Sequence, residues 1–150
     1  MHTVSMTILC CCLWTISLFG QSNHSAKFWQ EVTEKSFADK NAERQIIPQK
    51  YRTALINWEV MTPVLESAPL RFSAEAETQE VLIRLPMPDG STEQFKIVEA
   101  PVLHKDLAKK YPGIHAYAGQ GIDDPTAYLR FDVTPKGFHA MVLSGRHSGV

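Results

Sequence analysis

VLIRLPMPDGSTEQFKIV, residues 81–98, is the most strongly patterned stretch of the 150-residue chain. Val81, Ile83 and Leu85 alternate with other side chains, as in a strand that buries one face. The MPDG that follows places proline second and glycine fourth, which favours a type I turn. EQFKIV then returns, so the pattern predicts a β-hairpin over residues 79–98.

A second hairpin is predicted over residues 127–143. Here AYLRFDV and FHAMVL flank TPKG, which repeats the turn chemistry of the first hairpin without repeating its sequence. The side chains predicted to share the buried face of its first strand are Ala127, Leu129, Phe131 and Val133.

A short helix is predicted between the two hairpins. Leu103, Leu107 and Tyr111 would line one side of it, and Pro112-Gly113 would end it. Two hairpins separated by a helix indicate the α+β class. We therefore expect a single domain of mainly antiparallel β-hairpins with short helices, after an N-terminal signal segment.

The pattern ahead of the first hairpin is weaker. Phe28, Val32 and Phe37 have roughly helical spacing, so residues 21–50 predict a short amphipathic helix followed by a polar linker. YRTALI, residues 51–56, is compatible with a strand.

Asn57 is a reasonable N-cap for a further helix through WEVMTPVLES. Pro63 opposes that helix, because an interior proline costs about 3 kcal/mol. The alternative is a helix that starts later and carries Pro63 in its first turn.

Residues 1–20 are predicted to be a secretory signal peptide. The apolar run from Ile8 to Phe19 is too short to span a bilayer comfortably and suits a signal-peptide core. The segment has no lysine or arginine, and Leu18 is large for the minus-three position of a cleavage after Gly20. A buried helix and an uncleaved anchor are the alternatives. We expect a secreted or periplasmic protein with no membrane contact after signal cleavage.

Composition and motifs indicate no catalytic machinery in the chain itself. All three cysteines, Cys10, Cys11 and Cys12, lie in the predicted signal, so the mature chain would have no disulfide, thiolate metal site or cysteine nucleophile. Lys+Arg and Asp+Glu number 15 and 16, which argues against a nucleic-acid partner. The sequence has no HExxH and no GxSxG, so we assign no catalytic residue.

GQGIDDP, residues 119–125, combines unusual backbone freedom with two negative charges. Gly119 and Gly121 permit positive φ, and Pro125 disfavours the helical conformation for Asp124. The favoured interpretation is a corner in which Asp123 or Asp124 accepts hydrogen bonds from backbone N–H groups. A calcium site would need six to eight oxygens, and a phosphate cradle would be opposed by the two carboxylates.

The run from Leu85 to Leu143 resembles the N-terminal propeptide region of secreted bacterial, Bacteroidetes-type, reprolysin-like zinc metallopeptidases. The matching segments are LPMPDG, EAPVL, LAKKYPGI, YAGQGIDDPTA, RFDVTPKGF and HAMVL, with RQIIPQKYRTALIN and LESAPL upstream. In that family a signal peptide and propeptide precede a catalytic domain with the motif HExxHxxGxxH.

The resemblance implies that residues 51–150 are an α+β propeptide domain, apparently truncated at its C-terminus, whose partner is the catalytic domain of its own precursor. Zinc would belong to that downstream domain, and this chain would hold no cofactor or metal of its own. Asp123 or Asp124 could serve as a ligand to the partner domain's zinc, but steric cover alone would also give latency. The alternative is a free-standing secreted module that binds a protein or a glycan.

Two arginines are possible sites for activation by a trypsin-like protease. Arg130 lies inside a predicted strand, where a protease would not reach it. Arg146, in LSGRHSG, has small flanking residues and is expected to be the more exposed of the two.

Overall fold

A computed structural model describes residues 27–33 and 51–146. The strands are β1 (Trp29–Glu31), β2 (Ala54–Ile56), β3 (Val81–Pro86), β4 (Thr92–Glu99), β5 (His115–Gly121), β6 (Tyr128–Thr134) and β7 (Gly137–Leu143). The helices are α1 (Trp58–Glu66), α2 (Ala74–Thr78) and α3 (Lys105–Lys110). This is the predicted α+β class. The predicted signal peptide lies outside the described residues.

The main sheet is a meander of five antiparallel strands in the order β3-β4-β5-β6-β7. The predicted hairpins form its two ends. In the first, the N–H of Gly90 donates to the carbonyl of Met87 over 3.1 Å, which closes the predicted turn. In the second, Thr134 pairs with Gly137, whose φ of +123° suits glycine. Both hairpin predictions are confirmed.

The core lies on one face of this sheet, and α1 packs there. Met61 of α1 is fully buried, as are Phe95 and Leu129 of the strands. Such side chains each contribute roughly 1.5–3 kcal/mol of stabilisation by leaving water. Of the face predicted for β6, Ala127, Leu129 and Phe131 are buried and Val133 is partly buried against the core. The sheet and α1 therefore share one hydrophobic core.

Tyr117 of β5 completes the core by stacking on Phe131, with ring centroids 4.7 Å apart. Only 5% of Tyr117 is exposed. Burial raises the pKa of its hydroxyl to about 12, and the nearby carboxylates of Glu99 and Glu66 add to the shift.

Helix α1 begins directly after Asn57, as predicted, and Pro63 lies inside it. The later-starting helix is therefore wrong. The carbonyl of Asn57 accepts the N–H of Met61 over 2.9 Å, but the Asn57 side chain makes no capping bond. Because Met61 and Leu65 are buried on one side of the helix, tertiary packing offsets the cost of the proline.

The helix predicted from Phe28 onward is wrong where the structure describes it. Trp29–Glu31 is a strand that pairs antiparallel with Ala54–Ile56. The N–H of Asn57 donates to the carbonyl of Phe28 over 2.8 Å, which extends the same ladder. Three apolar residues at helical spacing could not reveal a partner strand some 25 positions away; Phe37 lies outside the described residues.

Helix α3 forms where it was predicted, but its apolar side is only half covered. Leu107 and Tyr111 are 44% and 46% exposed. Leu103 lies with Val102 along a small cleft beside the start of β5. The prediction of the helix is confirmed, but its apolar side chains, Leu107 and Tyr111, contribute little to the core.

The side chain of Trp29 lies between the two edges of the five-stranded sheet. Its Nε1 donates to the carbonyl of Arg84 on β3 over 2.5 Å. Its ring meets that of Phe138 on β7 edge-on, with centroids 5.4 Å apart. One residue of the small sheet thus bridges both edges of the curled main sheet.

Arg52 makes a second connection between the small sheet and the main one. Its guanidinium forms an ion pair with Glu31 of β1 and donates to the carbonyls of Met87 and Ser91 in the first hairpin turn. Hydrogen bonds to backbone carbonyls therefore attach Arg52 to the turn, and the ion pair with Glu31 attaches it to β1.

We expect Trp29→Phe to lower the free energy of unfolding by about 1 kcal/mol, the typical net contribution of one hydrogen bond. Phenylalanine keeps the ring contact with Phe138 but has no donor for the Arg84 carbonyl. Urea unfolding of the two proteins measures the difference. An unchanged midpoint would mean that Trp29 does not hold the sheet edge through its indole N–H.

Candidate functional site: the corner between β5 and β6

The predicted GQGIDDP corner joins β5 to β6 and is closed by backbone hydrogen bonds. The N–H of Gly121 donates to the carbonyl of Ala127 over 2.9 Å, and the N–H of Ala127 donates to that of Asp124 over 2.9 Å. Gln120 adds side-chain bonds to the carbonyls of Pro125 and Ala127, at 2.7 and 3.1 Å. The turn is thus fixed at several points along its length.

The role of the two glycines differs from the prediction. Gly119 and Gly121 both lie in β5, and neither has a positive φ. A Cβ at Gly121 would lie 2.2 Å from the carbonyl oxygen of Asp124 and 2.9 Å from the Cβ of Ala127. Only glycine fits at position 121, because the backbone of the corner at Asp124 passes this close to β5.

Gly119 is required more weakly and for a related reason. It pairs with Ile97 on one side and Leu129 on the other, and both fill the space above it. A Cβ at Gly119 would lie 3.1–3.3 Å from atoms of those two side chains. The space here is bounded by side chains, which can move more easily than the backbone at Gly121.

Asp124 is a buried carboxylate, with 2% of the residue exposed. The hydroxyl of Ser144 donates to its Oδ2 over 2.5 Å, while the N–H and hydroxyl of Thr126 donate to its Oδ1 over 2.9 and 2.7 Å. These hydrogen bonds lower the pKa of Asp124 to about 2, and the bond from Ser144 has the largest effect. Burial acts in the opposite direction and raises the pKa, but by less. The carboxylate is therefore charged at every physiological pH.

Asp123 faces solvent and fastens the corner to β4. Its Oδ2 accepts the N–H of Gln94 over 2.8 Å, and the neighbouring N–H of Ile122 donates to the carbonyl of Gln94 over 2.8 Å. The prediction that at least one of the two aspartates bonds to backbone N–H groups is confirmed, since both do.

The two aspartates differ in what they offer to an outside group. Three donors already surround Asp124, and a metal could reach it only if the corner opened. Asp123 is exposed, so a metal of another domain could approach it. Within residues 27–33 and 51–146 there is no group of three His, Cys, Asp or Glu side chains able to hold a metal ion.

Sequence reasoning missed the partners of Asp124 beyond its own turn. Ser144 is 20 positions away and follows β7, in the LSGRHSG segment that was noted only for Arg146. The N–H of Gly145 donates to the hydroxyl of Thr126 over 3.1 Å, and that of Arg146 to the Ser144 hydroxyl over 3.0 Å. The chain leaving β7 is therefore docked on the corner.

A second feature is a groove of about 400 Å³ on the sheet face opposite the core. The loop around α3 forms one wall through Val102 and Ile114, and β7 forms the other through Met141. Its lining is mostly apolar, and Met141 and Val102 are 55% and 71% exposed. Such an apolar depression is typical of a surface that contacts another molecule.

The histidines of the described strands pair with carboxylates at the surface. The Nδ1 of His139 lies 3.7 Å from Asp132, beside the groove, and that of His115 lies 3.6 Å from Glu99. Exposed pairs of this kind contribute little to stability. In the two described ranges, no helix is long and apolar enough to cross a membrane.

Comparison with known proteins finds no match to a family model, to a curated protein or to a solved structure. The chemistry of the corner and the surface of the sheet are therefore the features that bear on function.

Proposed function

We propose that the chain is the pro-region of a secreted zinc metallopeptidase precursor and acts as a folding and latency module for the catalytic domain. The observation that carries this proposal is the motif run over residues 85–143, which resembles such propeptides. That run extends from within β3 to the last residue of β7. The run thus covers β4 to β7, four of the five strands of the main sheet.

The geometry of the corner gives a reason for the most specific motif, GQGIDDPTA. Gly121 permits the close approach to Asp124, and Asp124 receives both donors of Thr126. Asp123 fastens the corner to β4. The motif therefore specifies a rigid platform, which is useful to a domain that must hold a fixed shape against a partner.

The groove supports a partner of protein character. It lies on the face of the sheet that α1 does not cover, and its exposed apolar side chains lose contact with water when another domain packs there. In the proposed precursor the catalytic domain would occupy this face. Steric cover of the catalytic cleft then gives latency without a ligand from this chain to the zinc.

A zinc-ligating role falls to Asp123, if to either aspartate, because Asp124 is enclosed. The alternative function, a free-standing module that binds a protein or a glycan, is favoured by the same apolar groove. The two functions differ in the identity of the partner: a cognate catalytic domain in the first, an unrelated molecule in the second.

The test has a genetic and a biochemical part. The reading frame that contains this chain should encode HExxHxxGxxH downstream of residue 150. The purified chain, added in trans, should inhibit that catalytic domain and should itself cleave no casein. A reading frame without the motif, or a catalytic domain that the chain leaves fully active, would contradict the pro-region proposal.

We expect Asp123→Asn to leave inhibition within about twofold of the wild type, because an amide oxygen can still accept the N–H of Gln94 and steric cover needs no charge. The measurement is the inhibition constant in trans, together with the Tm of the variant. A loss of inhibition of tenfold or more at unchanged Tm would instead identify Asp123 as a ligand to the zinc of the catalytic domain.

A further inference from the structure

The segment that follows β7 is held on the β5–β6 corner by a set of hydrogen bonds that we call the clasp. It comprises Asp124 and Thr126 of the corner and Ser144, Gly145 and Arg146 of the segment. Ser144 donates to the buried carboxylate of Asp124 over 2.5 Å, and the N–H of Gly145 donates to Thr126 over 3.1 Å. The clasp is thus built around a buried charge.

We propose that the clasp controls proteolytic processing after Arg146 by an arginine-specific endopeptidase. The inference deepens the proposed function and depends on it for its purpose, because a latency module must be separated from its enzyme. In the reaction, water adds across the peptide bond between Arg146 and His147. Arg146 then ends in a carboxylate and His147 begins with an amine.

Arg146 displays its side chain while its backbone is engaged. The side chain is 62% exposed, and its Nε lies 3.9 Å from Asp124. Its N–H, however, donates to the hydroxyl of Ser144 over 3.0 Å. A protease can therefore meet the guanidinium that it recognises before it can bind the chain around the scissile bond.

Cleavage requires this segment to leave the corner. An endopeptidase binds its substrate as an extended strand and pairs with the backbone on the N-terminal side of the cut. In this chain the N–H groups of Gly145 and Arg146 are both engaged within the clasp, and Leu143 belongs to β7. The rate of cleavage then follows the population of the locally open state.

Ser144 is the residue on which the clasp depends most. Its hydroxyl donates to Asp124 and accepts from Arg146, so it joins the corner to the residue at the cut. Removing it leaves the buried carboxylate with the two donors of Thr126, and the corner itself keeps its backbone bonds. Ser144→Ala should therefore loosen the segment and leave the sheet folded.

The experiment is limited proteolysis of the full chain with an arginine-specific endopeptidase at neutral pH, followed by intact mass. Loss of residues 147–150 reports the cut after Arg146. We expect Ser144→Ala to accelerate that cut about tenfold, as for the loss of one hydrogen bond to a charged group. Thr126→Val, which removes the acceptor for Gly145, should act in the same direction.

The bond after Arg71, outside the clasp, is the internal control, and a synthetic peptide of residues 140–150 gives the rate for an open segment. The proposal requires the intact chain to be cut after Arg146 far more slowly than the peptide. Equal rates for chain and peptide, an unchanged rate in Ser144→Ala, or equal acceleration after Arg71 and Arg146 would each overturn it. Because no catalytic domain is present, the outcome is independent of the inhibition assay in trans.

Discussion

Gly121→Ala is expected to lower the free energy of unfolding by about 3 kcal/mol, the upper part of the usual range for overpacking. The added Cβ would lie 2.2 Å from the carbonyl oxygen of Asp124, so the backbone of the corner itself must move. That movement disturbs the bonds between Gly121, Ala127 and Asp124 that close the turn. Tm should fall by roughly 15 °C for a domain of this size.

Two other glycines supply matched controls for that measurement. A Cβ at Gly113 would make only ordinary contact, 3.5 Å from the ring of Pro135, so Gly113→Ala should melt close to the wild type. Gly119→Ala should cost about 1 kcal/mol, because the side chains of Leu129 and Ile97 can shift to admit a methyl group. If Gly121→Ala were as stable as Gly113→Ala, the close approach described for the corner would be wrong.

The same position shows what the sequence could and could not predict. From the sequence pattern, the role expected of Gly121 was to permit a positive φ. The true cause is a contact between the strand and the corner, which depends on how β5 leads into β6 in three dimensions. A local sequence pattern carries information on backbone preference but none on such an approach.

The hairpins were predictable because everything that specifies them is local. Alternation in Val81, Ile83 and Leu85 identifies the buried face, and the turn chemistry at residues 87–90 identifies the reversal. The strand at Trp29 was missed because its pairing with Ala54–Ile56 is distant in sequence. Three residues of strand give too short a pattern to distinguish a period of 2 from one of 3.6.

Only the half of the clasp that lies within the corner could be predicted from the sequence. Asp124 before Pro125 and Thr126 is a recognisable turn, and its bond to the N–H of Thr126 follows from the usual chemistry of aspartate in turns. Its bond to Ser144 depends on the meander, which brings the end of β7 beside the start of β6. Ser144, the residue that most lowers the pKa of Asp124, could therefore not be identified from the sequence.

Asp124 is expected to make the protein acid-sensitive in a defined pH range. Its pKa is about 2 in the folded protein and near 3.8 when the chain is unfolded. A carboxyl whose pKa is depressed by folding stabilises the fold fully above its unfolded pKa and loses that contribution as the pH falls through its folded pKa. The contribution of Asp124 should therefore be complete at pH 6 and disappear between about pH 4 and pH 2.

Asp124→Asn tests this contribution separately from the other carboxyl groups that titrate in the same range. The amide keeps an oxygen for Thr126 but loses the charge that strengthens the bonds from Ser144 and Thr126. At pH 6 we expect its Tm to lie on the order of 5–10 °C below that of the wild type, in line with the sensitivity of a domain this small. Asp123→Asn, on the exposed neighbour, should shift Tm much less.

The decisive quantity is the difference in Tm between wild type and Asp124→Asn, measured at pH 6, 4, 3 and 2. The difference should be constant from pH 6 to about pH 5 and should then shrink towards pH 2, because protonation removes from the wild type the same charge that the substitution removes from the variant. A difference that stays constant down to pH 2 would show that the Asp124 carboxylate does not stabilise the corner through its charge.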